Sequence, residues 1–136
     1  MTFSFDNGVY GGFGTVPSYS LPAQVYLGFS ARTGGATNNH WVHGISSGTG
    51  ADAHDLEQPA GALAPDLENP ISVDHFVLDG SAMLDGDVLS ITQVQESQAG
   101  TAFYPLSIIP SDRFHVQFQM YCGDGTGADG LCVNIG

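Results

Sequence analysis

The run Phe114–Cys122 places Phe114, Val116, Phe118 and Met120 at every second position, with His115, Gln117, Gln119 and Tyr121 between them. A period of two belongs to a strand with one buried face, because successive side chains leave a pleated backbone on opposite sides. A helix would spread those apolar positions around its circumference. Alternation recurs at 2–6, 25–31, 40–45, 73–78, 88–94 and 131–135, with shorter pieces at 102–105 and 106–109. Asn7-Gly8, Asp79-Gly80 and Asp85-Gly86-Asp87 separate several of these runs as turn signals, while Gly11–Gly14 reads as loop or loose edge. Nineteen glycines, seven prolines and only 12% charged residues agree with many short strands rather than helices. The expected fold is an all-β antiparallel sandwich.

A chain of 136 residues, 42% hydrophobic and carrying 14 aromatic side chains, is long enough for one core. Two basic residues against fourteen acidic ones give a formal charge of −12, which repels phosphate backbones and excludes nucleic acid as a partner. The acidity is read first as serving solubility, with cation binding as the sharper alternative; no cofactor is assigned, and calcium is the one left open. No apolar run reaches the length of a membrane span, so membrane insertion is not expected. Met1–Asp6 lacks the basic start and apolar run of a signal peptide.

Between Ser46 and Pro70 the alternation stops, and Ser, Gly, Ala, Asp, Glu and Pro dominate. Such a stretch inside a compact domain suggests a join between two pieces. The expected organisation is one domain over 1–136: strands in 1–45, a linker or long loop over 46–72, and strands in 73–136.

Three segments carry a family resemblance. Leu21-Pro22-Ala23-Gln24-Val25-Tyr26-Leu27-Gly28-Phe29-Ser30-Ala31-Arg32-Thr33-Gly34-Gly35 is similar to a late segment of the L-type (legume-type) lectins. Gln98-Ala99-Gly100-Thr101-Ala102-Phe103-Tyr104-Pro105 resembles an early one, and Ala128-Asp129-Gly130-Leu131 resembles their Ala-Asp-Gly loop. The resemblance implies a concanavalin A-like jelly-roll sandwich on which the Asp129 carboxylate accepts from sugar hydroxyls. It also implies a cis peptide at Ala128–Asp129. The loop Gly34, Gly35, Ala36, Thr37, Asn38, Asn39 would lie across the same site, offering backbone N–H groups and amide side chains. The segments stand in swapped order, so the domain is read as circularly permuted, or as a fragment spanning two lectin-like domains. The family's metal-binding middle segment has no counterpart here. The sandwich is therefore expected to be small or incomplete, with open edges that pair with neighbours.

The resemblance implies glycans as partners, an extracellular or cell-surface setting and no catalysis. The alternative is a structural subunit that self-assembles into a fibre or surface layer through its sheet edges. The alternating acids of a glucanase strand are absent from the sequence, and no metal site is expected of the histidines. His40 and His43, three apart on one strand, face opposite sides, and His54, His75 and His115 are scattered. Trp41 is expected in the core rather than on a sugar platform. Cys122 and Cys132 flank the glycine-rich loop; if their strands form a hairpin the thiols face each other and can form a disulfide, and otherwise they are buried free thiols. The pentapeptide Gly-Thr-Gly-Ala-Asp occurs at 48–52 and again at 125–129.

Overall fold

The computed structural model describes residues 2–6, 11–15, 24–48, 69–105, 109–110 and 115–136. Every strand pairing among them is antiparallel. In chain order the strands are β1 (Thr2–Asp6), β2 (Gly11–Thr15), β3 (Gln24–Val25), β4 (Leu27–Arg32), β5 (Asn39–Gly48), β6 (Asn69–Pro70), β7 (Val77–Gly80), β8 (Met83–Asp85), β9 (Val88–Thr92), β10 (Ala99–Phe103), β11 (Ile109–Pro110), β12 (His115–Gly123) and β13 (Gly130–Ile135).

Two sheets form the sandwich. One has the order β13-β4-β10-β7; the other has the order β12-β5-β9-β8, with β6 pairing on β5. Alternation fills the space between them. Leu27, Phe29 and Ala31 of β4 and Ala102 of β10 face Val42 and Ile45 of β5 and Leu89 and Ile91 of β9, all of them buried. Phe29 and Phe118 pack edge to face, with ring centroids 5.1 Å apart. In both sheets a strand from before the 46–72 stretch lies between strands from after it: β4 between β10 and β13, and β5 between β9 and β12.

Four expectations change. Gly11–Thr15 is a strand, paired with Thr2–Asp6 as a hairpin. The loop after β5 begins later, since Ser46 and Ser47 remain in the strand and pair with Pro70 and Asn69. The body of the 46–72 linker, residues 49–68, lies outside the described residues. Val73–His75 is a 3-10 turn rather than strand. A straight strand would send Val73 and Phe76 to opposite faces; the turn, closed by Phe76 N–H donating to Val73 O at 3.1 Å, buries both. Finally, Trp41 is half-buried on the outer face of its sheet, because its neighbours His40 and Val42 take the two inward positions.

The expected hairpin around the glycine-rich loop is also absent. β12 belongs to one sheet and β13 to the other, so residues 124–129 form an arch over the end of the sandwich. Cys122 pairs across from inward-facing His40, whereas Cys132 pairs with Ser30, between inward-facing Phe29 and Ala31 and therefore on an outer face. Both cysteines are free and exposed, which corrects both the disulfide and the buried-thiol alternatives.

Candidate functional site

Three loops meet at one end of the sandwich: 33–38 between β4 and β5, 93–98 between β9 and β10, and the arch 124–129. The first two are tied through buried Thr33. Its N–H donates to Gln98 O at 3.0 Å and its hydroxyl to Gln95 O at 2.7 Å, while Gln98 N–H donates back to Thr33 Oγ1 at 2.9 Å. Ser97 N–H donates to Gly34 O at 2.9 Å. The side chains of Gln93 and Gln98 brace the second loop, with Gln98 Nε2 donating to Gln93 Oε1 at 3.0 Å.

The arch docks on Thr37. Thr126 and Gly127 N–H groups both donate to Thr37 O, at 2.9 and 3.2 Å, and Thr37 N–H donates to Thr126 Oγ1 at 3.0 Å. Local sequence explains why this is possible. A Cβ on Gly125 would fall on the Thr37 carbonyl, so only glycine lets the two backbones approach this closely. Gly127 and Gly130 hold φ of 93° and 111°, values that side-chain-bearing residues rarely adopt.

Two carboxylates sit on this arch in different circumstances. Asp124, at φ 67°, is held by two donors: Tyr121 O–H to Oδ1 at 2.8 Å and Asn39 Nδ2–H to Oδ2 at 3.1 Å. These bonds, Tyr121's first, keep its carboxyl below the ordinary Asp value, and the same bond raises the Tyr121 phenol. Asp129 is exposed, and no hydrogen bond from the described residues engages its side chain.

Beneath the arch lies His40, wholly buried. Thr92 spends its only proton on Asn38 O at 3.2 Å, so its oxygen accepts from His40 at 2.7 Å and Nδ1 carries the imidazole hydrogen. Nε2 is then a buried lone pair without a partner among the described residues. Burial holds the His40 pKa below its ordinary value, and the Asp129 carboxylate nearby acts in the opposite direction.

The residues expected to form a site are thus partly brought together. The arch that ends in Asp129 docks on Thr37 and its Asp124 holds Asn39, while Asp129 itself acts on His40; Gly34, Gly35 and Ala36 lie further along their loop, and Gly34 faces the 93–98 segment. The amides do not stand as expected. Asn38 is buried and Asn39 is occupied by Asp124, because the docked arch takes up the groups that face it. No described peptide bond is cis, so Ala128–Asp129 is trans, against the family expectation. Among the described residues no three His, Cys, Asp or Glu side chains are grouped to hold a metal ion.

Sequence reasoning missed Asp124 and Tyr121. The signal for Tyr121 was its place on the polar face of the 114–122 alternation; Asp124 carried none beyond its glycine neighbours. Comparison of the chain with protein-family models, with characterised proteins and with solved structures finds no match.

Proposed function

We propose that this chain is a non-catalytic carbohydrate-binding domain, lectin-like in permuted order, working outside the cell or at its surface. Asp129 is the principal acceptor for sugar hydroxyls. The observation that carries the reading is the docking of the 124–129 arch on Thr37 of the 34–39 loop, across nearly ninety residues of sequence, with an exposed carboxylate at the end of that arch, Asp129, that has no hydrogen-bond partner among the described residues. An ionised carboxylate accepts from two adjacent hydroxyls, and the Asp129 oxygens are not taken up by the bonds that dock the arch. Screening the chain against a glycan array, followed by calorimetry on Asp129→Asn, tests this. Binding is expected in the parent and loss of it in the variant; undiminished binding by the variant removes Asp129 from the site.

A specific observation also favours self-assembly. β12 and β13 end their respective sheets and are joined by the arch, and along them Met120 and Val133 are 58% and 41% exposed although they pair with inward-facing Val42 and Phe29. Among the described residues no further strand pairs with β12 or β13, and two such edges bearing apolar residues invite pairing with another copy. Light scattering distinguishes the readings: a mass near 14.2 kDa opposes self-assembly, and polymers indifferent to added sugar make it the primary role.

A further inference from the structure

On the outer face of the β12-β5-β9-β8 sheet, four residues stand directly opposite one another across four strands: Tyr121, Trp41, Ser90 and Met83. Trp41 and Tyr121 stack with ring centroids 5.0 Å apart and planes 20° from parallel, which leaves the indole one face turned away from Tyr121. The residue opposite it on that side is Ser90, a side chain too small to cover an indole, and beyond it Met83 is 49% exposed. His43, at 5.3 Å from the indole, flanks it along β5. Ser90 Oγ accepts from Gln93 Nε2 at 3.1 Å and donates to no group among the described residues, which leaves its proton for a ligand.

We infer that this shelf is a second subsite, which extends the proposed site onto the sheet and makes the ligand an uncharged oligosaccharide rather than a single sugar. The inference rests on the carbohydrate reading above. A pyranose ring has a flat C–H face and a hydroxylated edge. The indole receives the first, as aromatic faces receive polarised C–H groups, and Ser90 the second. Continuity with the primary site comes from Tyr121, whose ring belongs to the shelf and whose hydroxyl holds Asp124 on the arch. Charge selects the ligand class. With Asp124 and Asp129 on the arch and a formal charge of −12 on the chain, an acidic glycan is repelled.

Trp41 is the chain's only tryptophan, so its emission reports on the shelf directly. The test titrates the protein with glucose, mannose and galactose and with the corresponding neutral linear pentasaccharides. The pentasaccharide of the bound sugar is expected to bind about two- to tenfold more tightly than the monosaccharide, the range an aromatic contact supplies, and to shift Trp41 emission. Trp41→Ala and Ser90→Leu are each expected to abolish that gain and keep monosaccharide affinity. The second covers the indole without removing it, so the test survives if the first fails to fold. Asp129→Asn loses both ligands. A parent protein that binds monosaccharide and pentasaccharide equally, or a gain that survives Ser90→Leu, overturns the shelf and leaves the Asp129 site standing. A parent that binds no sugar overturns both.

Discussion

Replacing Gly125 by alanine tests the docked arch at its tightest point. Gly125 carries no unusual φ, so the substitution adds no backbone strain; its effect comes from a methyl group directed at the Thr37 carbonyl, which is backbone and cannot rotate away. Relief requires the arch to lift off, and lifting it breaks three hydrogen bonds: Thr126 N–H and Gly127 N–H to Thr37 O, and Thr37 N–H to Thr126 Oγ1. At about 0.5–1.5 kcal/mol each they are worth about 1.5–4.5 kcal/mol. The exposure of Gly125 and Thr126 places the loss near the lower end, about 2 kcal/mol, because water replaces the lost partners. For a chain of this length that lowers Tm by roughly 6–10 °C. Thermal melts of the parent, of Gly125→Ala and of a Gly35→Ala control provide the comparison. Gly35 has no atom within 4 Å of a Cβ and no positive φ, so its alanine variant is expected to melt at or slightly above the parent. Gly125→Ala is also expected to lose sugar binding, since the arch that carries Asp129 lifts off the 34–39 loop. A Gly125→Ala protein that melts within about a degree of the parent would refute the docking argument, because destabilisation near 2 kcal/mol cannot leave Tm unmoved.

Two further predictions follow from the groups beneath the arch and on the flanking strands. His40 has a folded-state pKa below its unfolded value of about 6.5, so below that pH the unfolded chain binds the extra proton; stability is complete above about pH 7 and falls as pH drops through 6, by at most about 1.4 kcal/mol per pH unit for one proton. Denaturant melts from pH 8 to 5 on the parent and on His40→Gln check this, and a variant with the same slope over that range assigns the effect elsewhere. Both thiols are free, with burial pushing the Cys122 pKa up, so Ellman's reagent is expected to titrate both cysteines, Cys122 more slowly, and reductant to leave Tm unchanged; a Tm lowered by reductant would reveal a disulfide.

Much of the sandwich was legible because a half-buried strand writes its face into every second residue. Leu27–Ala31 and Val88–Ile91 alternate and occupy inner places in the two sheets. Legibility ended where tertiary contacts outweighed period two. Val73 and Phe76, three apart, are both buried through one 3-10 turn, which alternation cannot encode. Residue type alone assigns Trp41 to the core, yet its strand gives the inward positions to His40 and Val42, and strand parity outweighs hydrophobicity. The two cysteine strands read as a hairpin because only a short glycine-rich loop separates them. Nothing local shows that such a loop crosses from one sheet to the other; that depends on Gly125 meeting Thr37, a contact between positions 88 apart in sequence.

The arch also explains why two aspartates five residues apart serve different ends. Asp124 adopts a left-handed φ of 67° and has one donor on each oxygen. Tyr121 and Asn39 come from the two paired strands β12 and β5, so Asp124 fastens the start of the arch to both of them. A carboxylate used in this way has few lone pairs left for a ligand. Asp129, at the far end of the same arch, is exposed and takes no hydrogen bond from the described residues, and its charge acts on His40, whose free Nε2 is buried. The anchored acid fixes the loop, and the fixed loop keeps the other acid in place without using its oxygens. A ligand carboxylate needs that combination of a rigid backbone and unspent acceptors, and on this arch it is met at Asp129.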